Sequence, residues 1–369
     1  MKKVAIIHDW LTGMRGGEKC LELFCNIFPQ ADIFTLLHIK GSVSPAIESH
    51  PIFVSFIQNM PFVKKKYRHY LPLFPSAIEN FDLTDYDLVL SSSHCVAKGV
   101  IPGVMARHVC YCYTPMRYAW DMRHHYFPLK EMPLLKRRMI PMILNHLRMW
   151  DITSNSRVDE FIAISGYVAR RIERNYGRQA SVIYPPVDTE FYTLSEQSED
   201  FYLIVSALAP YKRVDLAIAT FNELGFPLVI IGTGQDEKRL RKMAGSNIRF
   251  MGWMSDDDVR SYYQHCRAFI FPGEEDFGIT PLEAMACGKP VVAYRRGGAT
   301  ETVAGYVPGR KDYTGVFFNE QTVDSLKEAV LLARKLEFFP VKIREHAEKF
   351  AKNVFVEQIK QKFKAYLPE

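Results

Sequence analysis

Short apolar runs alternate along this chain with stretches whose apolar residues recur every three or four positions. Residues 4–7 form the first run, the turn-rich Thr12-Gly13-Met14-Arg15-Gly16-Gly17 follows, and 18–27 has helical spacing. The chain therefore opens as strand, glycine loop and helix. The same reading places strands at 31–37, 88–91 and 109–113, another within 156–164, and a helix at 167–176. After the run 182–184 come Pro185-Pro186 and a polar, acidic stretch over 188–200, which marks a domain boundary. Beyond it the alternation restarts, with strands at 201–206, 228–232, 248–251, 268–271 and 290–294. Helices at 214–224 and 237–243, and others starting near 255 and 281, fall between them. The stretch 323–363 reads as helices broken at Pro340. Apolar strands alternating with helices mean parallel sheets covered on both faces, so the pattern predicts an α/β protein of two doubly wound domains in tandem. No short-period solenoid repeat is present.

Composition narrows the function classes. A length of 369 residues suits two cores rather than one, and 48% hydrophobic with 24% charged residues excludes a disordered or fibrous chain. The net charge of +6 is too small for a dedicated nucleic-acid binder. Seven cysteines without a C-x-x-C pair encode neither a disulfide framework nor a zinc ribbon, which implies a reducing compartment such as the cytosol. The apolar start is cut short by His8, Asp9 and Arg15, and no window approaches the ~20 apolar residues of a spanning helix. A soluble or membrane-peripheral protein is expected.

The richest segment is 272–290. Glu275 and Glu283 flank a strand-to-helix turn, and Phe277, Gly278, Ile279 and Thr280 supply backbone N–H groups where a helix begins. Such N–H groups and the helix dipole favour a phosphate. Glu283, one turn in, suits ribose hydroxyls, and Glu275 suits a sugar; the same spacing also fits a glycine turn with solvated glutamates. Lys212 and Arg213 fall between a strand and a helix, where cations neutralise a diphosphate. Gly16 and Gly17 allow close backbone approach to a pyrophosphate. Gly232-Thr233-Gly234 lacks the third glycine of the dinucleotide fingerprint, since Glu237 stands there, which disfavours a nicotinamide enzyme.

Glu275-x-Phe277-Gly278-x4-Glu283, followed by Ala284-x-Ala286-x-Gly288-x-Pro290, resembles the E-x7-E signature of the retaining glycosyltransferases of family four. The resemblance covers most of the chain, through Gly16-Gly17, Ala163-Ile164-Ser165, 182–188, Lys212 and Ile231-Gly232-Thr233-Gly234. Residues 111–121 and 206–215 are similar to the branch holding O-antigen and capsule mannosyltransferases, whose usual donor is GDP-mannose. The resemblance implies a GT-B fold: an acceptor-side Rossmann-like domain over 1–190, a nucleotide-sugar domain over 191–345 facing it across a cleft, and a C-terminal helix over 346–369 returning to the first domain.

It further implies Glu275, Lys212 and Arg213 as catalytic residues. Gly16, Gly17, Gly232, Gly234, Phe277, Gly278, Ile279, Thr280 and Glu283 would bind the donor. Asp9, His94, Tyr113 and Arg117 are the candidates facing sugar or acceptor. Two departures stand out: Ala207 occupies a position where many members carry Arg, and Tyr113 one where many carry His. No metal or cofactor is expected beyond the nucleotide-sugar substrate. Lys64, Lys65, Lys66 and Arg68 with Tyr67, Tyr70 and Phe74, and the stretch 134–144, mix cations with apolar groups as an anionic membrane surface demands. The expected acceptor is a glycan, with or without a polyprenyl-diphosphate link, at the inner face of the cytoplasmic membrane. The rival readings are a GT-B-like nucleotide-sugar epimerase and a non-catalytic sugar-nucleotide-binding subunit.

Overall fold

The computed structural model describes residues 2–127 and 132–367; residues 1 and 368–369, at the ends of the expected first and last segments, and 128–131 lie outside that description. The first sheet holds β1 (Val4–His8), β2 (Asp32–Thr35), β3 (Ile52–Val54), β4 (Leu88–Ser93), β5 (Arg107–Cys112), β6 (Glu160–Ala163) and β7 (Ala180–Val182). The second holds β8 (Tyr202–Val205), β9 (Leu228–Ile231), β10 (Ile248–Gly252), β11 (Ala268–Phe271), β12 (Val291–Tyr294) and β13 (Gly315–Phe318). Their orders are β3-β2-β1-β4-β5-β6-β7 and β10-β9-β8-β11-β12-β13, with parallel neighbours. Winding reverses between β1 and β4 in one sheet and between β8 and β11 in the other. At those points the loops leaving the strand ends diverge and open a crevice.

Each strand forms for the reason its sequence suggests. β1 is buried along its whole length, as a central parallel strand covered on both faces must be. The following helix, Gly16–Ile27, buries Cys20, Leu21, Phe24 and Ile27 at three- and four-residue intervals. Two edge strands escape the sequence pattern. β3 has three residues, two of them exposed, and β13 begins with a glycine. The run expected at 182–184 pairs instead over Ala180–Val182, and a twenty-residue helix, Leu134–Thr153, continues through Pro141. All seven cysteines are free and buried.

The chain divides into two units, one ending at Pro185 and resuming at Val356, the other Pro186–Phe355. The change expected at 345–346 therefore moves to Phe355. The reason is helix Pro340–Glu348, whose Arg344 donates to the carbonyls of Thr189, Tyr192 and Ala286 within the second unit. Beyond Val356, Phe363 is buried with its ring 5.7 Å from Phe28, Lys362 pairs with Glu160, and the Lys2 ammonium lies 4.5 Å from the Tyr366 ring centre. Among the described residues, no helix is long and apolar enough to cross a membrane.

Phe363→Ala removes a buried ring at this return and is expected to cost the first unit about 3–5 kcal/mol. Urea unfolding followed by a probe in that unit measures it, and a loss below about 1 kcal/mol would show that the C-terminal segment is not docked.

Candidate functional site

The second unit gathers its candidates along the C-terminal ends of its strands. Lys212 follows β8 and Glu275 follows β11, the two strands that flank the switch point. Lys212 Nζ lies 2.5 Å from Glu275 Oε1, and both side chains remain partly open to solvent. Backbone packing places them together, because a Cβ on Gly273 would stand 3.0 Å from Lys212 Cα. Gly298 N donates to Glu275 O at 2.8 Å, and side chains at Gly297 or Gly298 would collide with the backbone of Glu275 or Phe277. Arg213 turns elsewhere: in a left-handed conformation (φ 54°), its guanidinium donates to Gln321 Oε1 at 3.0 Å and to Asp215 Oδ1 at 3.3 Å. Lys212 is thus the cation that meets Glu275, and Arg213 does not stand in beside it for the arginine missing at Ala207.

Gly278, with φ 85°, turns the chain into helix Ile279–Ala286. The first-turn N–H groups of Ile279 and Thr280 have no partner within that helix, and Pro281 carries none. Glu283 is buried one turn further on. Tyr263 donates to its Oε2 at 3.0 Å and Tyr192 also hydrogen-bonds it; burial first, and then this carboxylate, push both phenols up. Gly232 and Gly234 belong to the same rim. Gly232 N donates to Gly252 O at 2.7 Å and Leu208 N to Thr233 O at 3.0 Å, and a Cβ at either glycine would fall about 2 Å from a carbonyl oxygen of Ser206 or Leu208. Immediately beyond Gly252 stands Trp253, 79% exposed.

The first unit has its own carboxylate–imidazole pair at its own switch point. Asp9 follows β1, is fully buried, and accepts N–H bonds from His94 (2.7 Å), Cys95 (2.9 Å), Val96 (2.7 Å) and Ala97 (2.8 Å). His94 Nδ1 adds a contact at 3.0 Å. Burial alone would raise this carboxyl, but the His94 ring and N–H, with His8, outweigh it and hold Asp9 at about 2. His94 is a third exposed at its side chain, so solvent meets the imidazole and not the carboxylate. The Trp10 ring stands edge-on to His94 at 4.5 Å.

A second chain of contacts supports the glycine loop. Tyr113 donates to Gly17 O at 3.0 Å and bonds Ser92 Oγ at 2.9 Å, and Ser92 Oγ bonds His8 Nδ1 at 3.0 Å. Tyr113 is thereby tied to the loop, with its phenol pushed well up by burial. Gly16 meets nothing within 4 Å of where its Cβ would be, and Gly17 only ordinary contacts with His8 and Tyr113. Packing within this unit does not demand glycine there. Arg117 is half-buried in the loop after β5.

Of the cationic stretches, Lys64, Lys65, Lys66 and Arg68 are exposed. Tyr67 and Phe74, expected at an interface, are core residues: both pack on Trp10, with ring centres 5.2 and 6.2 Å away. Tyr70 donates to Pro61 O. Phe62 is the exposed aromatic of that segment, while Leu134, Leu135, Met139 and Met142 are exposed on helix Leu134–Thr153 beside Lys136, Arg137 and Arg138.

Residues 189–354 match the sequence family "Glycosyl transferases group 1", and 34–191 match "Glycosyltransferase Family 4". The chain belongs to the family-four glycosyltransferases. An uncharacterized glycosyltransferase of Methanocaldococcus jannaschii is 32% identical over 54% of this chain and 56% of its own length. The serotype-specific mannosyltransferase WbdA of Escherichia coli is 27% identical over 52% of this chain and 23% of its own length. A GDP-mannose-dependent phosphatidylinositol monomannoside mannosyltransferase of Mycobacterium tuberculosis is 28% identical over 45% and 50%. The chain thus spans about half or less of these relatives. In overall fold it is similar to Anabaena HepE in complex with UDP (TM-score 0.70, 16% identity, 99% of this chain and 100% of that one). It is also similar to sucrose-phosphate synthase of Thermosynechococcus elongatus (TM-score 0.72, 15% identity, 99% of each chain). The fold is GT-B.

In this glycosyltransferase, sequence reasoning missed Trp253, Gly297, Gly298, Gln321 and Trp10. Trp253 and the Gly297-Gly298 pair each come within a few residues after an expected strand, and that placement near a strand's C-terminal end was the available signal. Gln321, whose amide also donates to Pro272 O at 2.9 Å, lies 49 residues from that partner and gave none.

Because Asp9 sits below the ordinary carboxyl value of about 3.9, its contribution to stability is complete above about pH 4 and fades as pH falls through about 2. Asp9→Asn is expected to cost about 3 kcal/mol at neutral pH, since an amide presents one acceptor oxygen to four N–H groups. It is also expected to flatten the acid limb of the stability profile. Unfolding free energies measured from pH 2 to 7 test both, and a variant with the wild-type acid limb would remove Asp9 from that role.

Proposed function

We propose that this glycosyltransferase moves a hexose, mannose from GDP-mannose, onto a glycan acceptor with retention of anomeric configuration and without a metal. The observation that carries the reading is the Lys212–Glu275 pair at the switch point between β8 and β11. The second unit takes the donor: the N–H groups that open helix Ile279–Ala286 receive the diphosphate, Glu283 the ribose, and Trp253 offers an indole face to the base. Before the donor binds, Glu275 holds the Lys212 ammonium. As the sugar–phosphate bond breaks, negative charge grows on the departing diphosphate, and Lys212 stabilises it more strongly in the transition state than in the bound donor. Glu275, relieved of its partner, accepts from a sugar hydroxyl. The acceptor hydroxyl attacks from the face the diphosphate leaves and gives its proton to the departing phosphate oxygen. No side chain is assigned as a covalent nucleophile.

The mannosyl and GDP elements of this reading draw on relatives that match half or less of their length, and on residues 111–121 and 206–215. A lipid-linked acceptor in surface polysaccharide assembly, O-antigen or capsule, fits the exposed cations over 64–68 and 136–138 beside exposed Phe62, Leu134, Leu135 and Met142. Near an anionic leaflet each such cation adds roughly 1 kcal/mol of attraction.

The deciding experiment incubates the full chain with a panel of nucleotide sugars and follows nucleotide release with and without a polyprenyl-diphosphate-linked glycan. Acceptor-dependent release from GDP-mannose supports the reading, donor interconversion without acceptor indicates an epimerase, and binding without turnover indicates a non-catalytic subunit. Lys212→Met is expected to lower turnover by about a hundredfold or more, the effect of losing one well-placed oxyanion partner, with GDP affinity changed far less; unchanged turnover would reject its role. Trp253→Ala is expected to weaken GDP binding by roughly tenfold, consistent with ~1–3 kcal/mol of base stacking, and to leave inorganic pyrophosphate binding alone; an equal loss for both ligands would deny base contact. Neutralising Lys64, Lys65, Lys66 and Arg68 together is expected to weaken sedimentation with phosphatidylglycerol vesicles at low salt while soluble-donor hydrolysis persists, and identical sedimentation would reduce the segment to a solvated face.

A further inference from the structure

Beneath the first unit's site lies a charged pair that no substrate can touch. Lys98 is 1% exposed and Asp151 is fully buried, yet their charged groups stand 3.0 Å apart. The lysine's three N–H donors find three acceptors: Asp151 Oδ1, Asp151 O at 2.7 Å and Ser154 Oγ at 2.8 Å. The aspartate's other oxygen accepts from Trp120 Nε1 at 2.8 Å and from the Tyr176 hydroxyl at 3.0 Å. One carboxylate therefore joins four segments: the loop after β4, the loop after β5, helix Leu134–Thr153 and helix Gly166–Tyr176.

The first of these segments is the one that bears His94. Residues 94–97 give four N–H groups to Asp9, and Lys98 follows at once. Gly99 closes the loop against the Trp150 indole, which would stand 2.3 Å from a Cβ there, and its carbonyl accepts from Arg157 Nη1 at 2.7 Å. The loop is thus held at its start by Asp9 and at its end by Asp151. The second segment carries Arg117. It is pinned by Trp120 to Asp151 and by the Tyr118 hydroxyl, 2.7 Å from Cys95 Sγ, to the His94 loop itself.

We infer that Lys98 and Asp151 are positioning residues that fix His94 and Arg117 relative to one another through a shared buried carboxylate. Burying an ion pair costs desolvation that apolar side chains of similar volume avoid, often with no loss of stability. What such side chains cannot supply is direction, whereas a fully satisfied polar hub admits one arrangement of the segments it joins. The kinetic part of this inference rests on the proposed function; the structural part does not.

The test uses the full chain carrying Lys98→Met together with Asp151→Leu, which removes both charges and keeps the volume filled. Amide hydrogen exchange and, with whichever donor the wild type turns over, kcat and KM are measured at constant temperature. Exchange over 94–97 and 113–122 is expected to quicken at least tenfold while the strands of both sheets keep their protection, and kcat is expected to fall at least tenfold with donor KM within twofold. A folded double variant with wild-type exchange over 94–97 and wild-type kcat overturns the inference. Should that variant not fold, Trp120→Phe removes a single tie: quicker exchange over 113–122 with lower kcat supports the inference, and wild-type values for both overturn it. A wild-type chain that turns over no nucleotide sugar defeats the proposed function and leaves the exchange readout to decide this inference alone.

Discussion

A carboxylate buried away from water must find all its donors inside the protein, and Asp9 finds four of them on consecutive residues. That demand dictates the shape of the loop after β4. Four N–H groups converge on one carboxylate only if the chain curls tightly around it, and the curl turns the His94 ring outward at the point where the sheet's winding reverses. Trp10, one residue after Asp9, braces that ring from the side and rests in turn on Tyr67 and Phe74. Tyr67 and Phe74 of the cationic segment are consequently committed to holding the site, while its lysines face solvent.

The second unit meets the same topological situation with opposite priorities. Its pair, Lys212 and Glu275, again bridges the loops that follow the two strands at the switch point, but neither partner is sealed from water. An ion pair of this kind gains little net stability, so its partners can be exchanged for a ligand's charges at small cost. The backbone beneath it is rigid by contrast. Gly273, Gly297 and Gly298 lie so close to neighbouring main chain that a single added methyl would displace it. Fixed main chain under an exchangeable pair of charges is what the proposed stabilisation of a leaving diphosphate calls for.

How much of this was legible in the sequence depended on the distance between the parts. The second unit's site lay open because Glu275, the helix-opening N–H groups and Glu283 occupy nine consecutive positions, and the strand-turn-helix context sets their geometry locally. The first unit's site did not. Asp9 and its four donors are 85 to 88 residues apart, and nothing in the run from His94 to Ala97 announces that its N–H groups share an acceptor. The fold class followed from alternating apolar runs, but β3 and β13 were lost because their apolar runs, 52–54 and 316–318, are only three residues long. Tyr67 and Phe74 were misread for a related reason: an aromatic among lysines looks interfacial until the partner that buries it, here Trp10, is known. Helix Leu134–Thr153 was obscured by Pro141, which the chain accommodates in a stretch where most side chains are exposed.

The two switch points also explain why the departures at Ala207 and Tyr113 need not mean decay. With Arg213 engaged by Gln321 and Asp215, the positive charge beside Glu275 rests on Lys212. An ammonium is a compact point charge with three rotatable donors. Tyr113, for its part, spends its hydroxyl on Gly17 and Ser92 and so secures the glycine loop from below, a task an imidazole in that place would meet with a shorter reach. The ring that solvent meets beside Asp9 is then His94, whose orientation is set by Asp9 on one side and Trp10 on the other. An imidazole has thus not been lost from the rim of the first sheet; it is carried on the neighbouring strand's loop, where the buried carboxylate can hold it.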